Sequence, residues 1–175
     1  FHNGHMLKIE KLRNMGYSVV CVMSGSFVER GEPAVLPKEV RAECAAASGA
    51  DLVLELPFPF SCFGAERFAM SGVSIMRSCG FINPLAFGSE CADISLLSSA
   101  ADYLLTDGFS SDVEEKMRAD RSLGFARARS AVLSEKVGIN LTQPNDILGV
   151  EYIKALKKLR ADGISPIALP RTGAP

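Results

Sequence analysis

The chain predicts an α/β fold in which a parallel sheet is flanked by helices, and three observations carry that expectation. Short apolar, β-branched runs alternate with stretches whose apolar residues recur every three or four positions, the order of strand-helix-strand units. Four of the strand runs end in small, polar or proline-containing loops: Ser24-Gly25-Ser26-Phe27, Glu55-Leu56-Pro57, Gly88-Ser89-Glu90 and Leu169-Pro170-Arg171-Thr172. In a parallel sheet such loops share the carboxyl edge, where ligands bind. Finally, the only two histidines stand three apart in Phe1-His2-Asn3-Gly4-His5, directly ahead of a helical pattern.

Element by element, Met6, Ile9 and Leu12 keep helical spacing, and Gly16 supplies a C-terminal stop. A buried strand over 17–23 follows, closed by Ser24-Gly25. Beyond a charged, proline-containing loop lies a helix over 38–48 with Val40, Cys44 and Ala47 on its inner face, then a strand over 51–56. Pro57-Phe58-Pro59-Phe60 cannot continue a sheet interior and must turn. A helix over 65–79 is expected to bury Phe68, Gly72, Ile75 and Cys79, and a short strand over 85–87 runs into Gly88. Ile94, Leu97, Ala101 and Leu104 mark the next amphipathic helix. The polar, basic stretch 110–136 reads as one or two helices inserted beside the sheet. A helix over 145–160 should bury Leu148, Tyr152, Leu156 and Leu159. The strand over 164–169 tolerates Pro166 only at its start or on an edge.

Composition bounds the function. At 175 residues, 47% hydrophobic and 22% charged, the chain can bury a substantial core and reads as one domain over 1–175. Its net charge of −1 gives no global attraction for a polyanion, so any nucleic-acid surface is local or lies outside this chain. Cys21, Cys44, Cys62, Cys79 and Cys91 are odd in number and lack a CxxC pair, which favours reduced thiols in a cytoplasmic protein over a disulfide or zinc framework. No apolar run approaches the ~20 residues of a membrane span and no signal peptide is visible, so no membrane partner is expected.

The HxGH turn demands more. Backbone N–H groups at a helix start have no partner within the helix, and the dipole there favours phosphate oxygens. Gly4 lets a polyphosphate approach the backbone, and the imidazoles of His2 and His5 can donate to charge developing on a phosphoryl group. Three other readings compete for these residues alone: a tag remnant, a metal-binding pair, or surface histidines. The turn also requires a strand before it, which is expected upstream of Phe1 as the central strand of the sheet. The chain therefore reads as a fragment at both ends, one that should not be independently stable. Within the sheet, His2, His5, Ser24 and Gly88 should gather at the carboxyl edge.

Five motifs, in order, carry a resemblance. They are Phe1-His2-Asn3-Gly4-His5; Met23-Ser24-Gly25-Ser26-Phe27-Val28-Glu29-Arg30-Gly31-Glu32-Pro33-Ala34; Gly49-Ala50-Asp51-Leu52-Val53-Leu54-Glu55-Leu56-Pro57; Phe87-Gly88-Ser89-Glu90; and Pro144-Asn145-Asp146-Ile147-Leu148-Gly149. In this order and spacing the chain resembles the bacterial tRNA(Met) cytidine acetate ligase family, of the HIGH-type nucleotidyltransferase-like superfamily. The resemblance covers essentially the whole chain and argues against a tag remnant. It implies a Rossmann-like, HUP-type parallel sheet and an enzyme that forms acetyl-adenylate from ATP and acetate. The acetyl group then passes to the wobble cytidine of elongator tRNA(Met).

Carried over, the resemblance implies an ATP site of His2, Asn3, Gly4, His5 and Lys8 with Gly88, Asn145 and Arg171, in which His2 and His5 are catalytic. Mg²⁺ is the expected companion of ATP, although no dedicated metal cage is visible. Ser24-Gly25-Ser26 either approaches the α-phosphate or acetate or merely turns the chain. Asn145, opening a helix, is otherwise an N-cap. The sequence departs from the family pattern at Asp146, where a second Asn is common. The upstream first-strand segment and a later Ser/Thr-rich segment ending in Ile-Arg are both absent. Lys38 or Arg41 either offsets ATP charge or lies on a solvated face, and Glu90 either balances the adenosine or forms an ion pair. Lys116, Arg118, Arg121, Arg127, Arg129, Lys154, Lys157, Lys158 and Arg160 either meet tRNA phosphates or form ordinary exposed helix faces. Adenylyl transfer to a small phosphorylated cofactor precursor is an alternative that shares the HxGH turn but not the Arg-Gly-Glu-Pro, Glu-Leu-Pro and Pro-Asn-Asp-Ile-Leu-Gly blocks, and ATP binding without turnover in a regulatory module is a third reading.

Overall fold

A computed structural model describes residues 3–171, so His2 and Thr172 lie outside the described residues. These residues form two compact units, one running to Pro84 and including Arg171, the other Leu85–Pro170.

The first unit contains α1 (Asn3–Asn14), β1 (Val20–Ser24), α2 (Lys38–Ala47), β2 (Leu52–Leu56) and α3 (Ala65–Cys79). β1 and β2 pair in parallel from Val20↔Leu52 to Ser24↔Leu56. The stop after α1 is as expected: Gly16 adopts φ +88°, and Lys11 and Arg13 in the last turn complement the negative end of the helix dipole. Arg13 then ties α1 to the strands. Its Nη1 donates to the Gly49 carbonyl at 2.9 Å and to the Asp51 carboxylate at 3.0 Å, while Asp51 also accepts the Val19 N–H at 2.7 Å. The Val19 N–H, and after it the Arg13 guanidinium, hold the Asp51 carboxyl below its ordinary range. Gly49 is required here, because it sits at φ +101° and a Cβ would come within 3.3 Å of Ile9 Cγ2 and Arg13 Cδ. Beneath it Ile9, Val19, Ala45 and Ala50 form a small core, backed by Leu12, Cys21 and Val53.

The second unit contains β3 (Leu85–Ser89), α4 (Ile94–Leu104), α5 (Gly108–Ala119), α6 (Phe125–Val137), α7 (Pro144–Lys158) and β4 (Pro166–Pro170). β3 and β4 are parallel from Leu85↔Pro166 to Ser89↔Pro170, with Pro166 at the start of its strand as expected. The polar stretch forms two helices, α5 and α6. They bury Val113, Ala128 and Val132 against Tyr103, Phe109 and Met117. α7 packs on β3 through Gly149, where a Cβ would stand 3.0 Å from Phe87 Cδ2 and nearer still to Cε2.

One expected inner face is overturned by the structure and two are borne out only in part, at Gly72 and Leu156. Val40, Cys44 and Ala47 of α2 are exposed, and Ala45 is its buried residue. α3 buries Ala69, Gly72, Val73 and Met76, leaving Phe68, Ile75 and Cys79 half-buried. α7 buries Gly149, Val150, Ile153, Ala155 and Leu156 as well as Asp146 and Glu151, while Leu148, Tyr152 and Leu159 lie at its flanks. Small residues such as Ala45, Ala69, Gly72 and Gly149 share these inward faces because they permit close approach. Hydrophobic spacing determines the period of a helix more firmly than its phase. Among the described residues the strands pair in parallel, as expected, in two two-stranded ladders, β1-β2 and β3-β4.

Candidate functional site

In the first unit Asn3, Gly4 and His5 form the exposed first turn of α1, with Lys8 one turn further on. The helix thus begins earlier than its apolar pattern suggests, which puts the motif's own backbone N–H groups at the positive end of the dipole. No carboxylate sits in that turn to compete for them. The arrangement suits an anion.

The carboxyl ends of β1 and β2 are held by a second group of residues. Ser24 ends β1, and the Gly25 N–H donates to the Leu56 carbonyl at 3.3 Å. A side chain at Gly25 would collide with the Glu55 carboxylate. Arg41, from α2, donates through Nη2 to the Gly25 carbonyl and through Nε to the Leu36 carbonyl at 3.1 Å, closing the base of the intervening loop. Lys38 pairs with Glu55 at 2.7 Å, and that carboxylate pushes the Lys38 ammonium above its ordinary value. Lys38 and Arg41 therefore hold this strand end together rather than lying on a purely solvated face. The sequence reading missed Glu55 as their organising partner, although its Glu-Leu-Pro motif stood out.

In the second unit the loop after β3 and the start of α7 interlock. Gly88 and Ser89 are buried, and Asp146 is only 5% exposed. The Asp146 carboxylate accepts from the Ser89 hydroxyl, from the Glu90 N–H at 2.9 Å and from the Cys91 N–H at 3.2 Å. Glu90 answers across the gap, accepting from Asn145 Nδ2 at 2.7 Å and from the Asp146 N–H at 3.1 Å. Gly88 and Asn145 are thus brought within one residue of a shared network. Asn145 is not the N-cap; Gln143 holds that position and Pro144 opens the helix. Arg171 follows directly on Pro170, the strand partner of Ser89, and is exposed.

The basic residues divide. Lys116, Arg118, Arg129, Lys154 and Lys157 pair with Glu135, Glu114, Glu151, Glu151 and Asp102 respectively. Arg121 and Arg127 are exposed on either side of Phe125, itself 58% exposed. All five cysteines are free, and no group of three or more His, Cys, Asp or Glu is placed to hold a metal ion among the described residues. No helix of the described residues is long and apolar enough to cross a membrane.

Known proteins match along the whole chain. A protein from Caldanaerobacter subterraneus subsp. tengcongensis named tRNA(Met) cytidine acetate ligase is 42% identical over 181 residues, 99% of this chain and 45% of its own length. One of the same name from Clostridium botulinum strain Okra is 38% identical over 185 residues, with the same coverage. The chain thus spans under half the length of these curated relatives, and the resemblance carried by the five motifs is to proteins of this name. The crystal structure of Thermotoga maritima TmcAL bound with alpha-thio ATP superposes with a TM-score of 0.87 at 36% identity, covering 99% of this chain and 44% of that one. The fold is accordingly α/β of the Rossmann-like, HUP type, with parallel strands and flanking helices. A family model described as HIGH Nucleotidyl Transferase matches residues 1–175, and the chain belongs to that family.

Proposed function

We propose that this chain is the ATP-binding, adenylate-forming domain of a tRNA(Met) cytidine acetate ligase acting in the cytoplasm. The observation that carries the reading is 42% identity, across 99% of the chain, to a protein of that name. A carboxylate oxygen of acetate attacks the α-phosphorus of ATP, and pyrophosphate leaves with the electrons of the broken P–O bond. The exocyclic amine of the wobble cytidine in elongator tRNA(Met) then attacks the acyl carbon, AMP leaves, and the amine gives up a proton. His2, His5 and the first-turn N–H groups of α1 stabilise charge on the phosphates during the first step. Asn3, Gly4, Lys8, Ser24, Gly88, Asn145 and Arg171 bind the nucleotide. Magnesium would travel with the ATP phosphates; the described residues form no carboxylate cluster to hold it, and no step is assigned to it. Arg121 and Arg127, both exposed, offer a local basic surface to tRNA phosphates.

The test is pyrophosphate release by the complete protein with ATP in the presence and absence of acetate. Acetate-dependent release supports the reading. Release that ignores acetate and instead requires a phosphorylated cofactor precursor would replace it with adenylyl transfer, and ATP binding with no release would indicate a regulatory module.

A further inference from the structure

An aspartate in the first turn of a helix ordinarily serves the N–H groups of its own helix. Asp146 does not. Its buried carboxylate crosses to the loop after β3 and collects the Ser89 hydroxyl with the Glu90 and Cys91 N–H groups. Glu90 crosses the other way, to the Asn145 amide and the Asp146 N–H. Ser89 Oγ in turn accepts the Ala92 N–H at 2.8 Å, and Ala92 is held in the left-handed region at φ +51°. A non-glycine residue stays there only when its surroundings over-determine the backbone, and such over-determined loops gather at functional sites. Packing alone does not require this network, because α7 already meets β3 through Gly149 and Phe87.

What the network fixes is specific. Gly88 precedes Ser89 and Asn145 precedes Asp146, so one hydrogen-bonded unit sets both the Gly88 peptide and the Asn145 side chain. An ionised carboxylate only accepts, so the face of the Asn145 amide that meets Glu90 must be its NH₂, and its oxygen is turned away from Glu90.

Resting on the proposed ATP site, we propose that Glu90 and Asp146 form a reciprocal clamp that positions Gly88 and Asn145 to receive the nucleotide. They act through those neighbours and are positioning residues. Asp146→Ala in the complete protein should raise both the ATP dissociation constant and the KM for ATP by about 10-fold or more. The rate at saturating ATP should change much less. Asp146→Asn, which keeps an acceptor toward Ser89 and Glu90, should recover most of that lost affinity. Glu90→Ala should weaken ATP binding in the parent but add little in an Asn145→Ala background, because its effect passes through that amide. A merely structural role would lower the amount of folded protein and leave KM unmoved. Where Asp146→Ala fails to fold, the Glu90 and Asn145 cycle decides. An unchanged ATP constant in Asp146→Ala, or Glu90 and Asn145 effects that simply add, would overturn the clamp. A parent that binds no ATP would overturn the site reading itself, and that result appears before any variant is made.

Discussion

Glu151 is a sharp place to test the packing of the second unit. It is 4% exposed on α7 and accepts from Arg129 Nη2 on α6 at 3.0 Å and from Lys154 Nζ at 2.7 Å, one cation on each carboxylate oxygen. Arg129 and Lys154 are themselves only 22% and 11% exposed, and Arg129 Nε is already buried without a hydrogen-bond partner. Glu151→Ala would therefore leave the poorly hydrated Arg129 guanidinium without the carboxylate to which its Nη2 donates. Removing one member of a buried pair costs about 3–5 kcal/mol, and the residual access of both cations points to the lower end, about 3 kcal/mol. At 1.4 kcal/mol per factor of ten, amide hydrogen exchange in α6 and α7 should speed by about 10²-fold, as read by mass spectrometry on the complete protein. Replacing Arg129, Glu151 and Lys154 together by leucine should return most of the protection, since the penalty lies in the unpaired charge rather than in the lost pair. Protection within about threefold of the parent after Glu151→Ala would refute this reasoning.

Two further outcomes follow from side chains on the same unit. Burial, and after it the hydrogen bond to Asp112, pushes the Tyr103 hydroxyl up to about 12 from its ordinary 10.0. Its contribution to stability is complete below pH 10 and is lost as pH rises toward 12. A spectrophotometric titration should show one late tyrosinate that moves down in Asp112→Ala, and no such movement would refute the assignment. In tRNA binding, Arg121→Ala with Arg127→Ala should reduce the slope of log affinity against log salt by about 2, while Arg118→Ala, whose charge is paired with Glu114, should leave it nearly unchanged. Equal slopes in all three proteins would place the RNA surface elsewhere.

The positions of the strands along the chain and their parallel direction were legible because each buried run is bounded by glycine, proline or polar turns, and helix boundaries such as Ala65–Cys79 followed from their spacing. The inward faces were legible in part: Ile9, Leu97, Ala101, Leu104, Gly72 and Leu156 are buried as their spacing predicted, whereas Ala45, Ala69 and Gly149 face inward as small residues that a hydrophobic stripe does not register. At the site, Gly88, Glu90 and Asn145 were marked by their motifs. The cross-bonding of Glu90 and Asp146 was not, because it links residues 55 or more apart in sequence that only packing brings together. Likewise, the pairing of Lys38 with Glu55 and of Arg41 with the Gly25 carbonyl joins residues 16 or 17 apart in sequence that only the fold brings together.

The most direct test of the central claim is the transfer of labelled acetate to elongator tRNA(Met) by the complete protein, with His5→Ala alongside and circular dichroism as the folding control. Acetylcytidine should form at the wobble position only when ATP and acetate are both present. His5→Ala should slow its formation by about 10²-fold or more while remaining folded, because the lost donor acts chiefly on charge that develops in the transition state. A folded His5→Ala protein that acetylates tRNA at the parent rate, or a parent that leaves the tRNA unlabelled, would contradict the account.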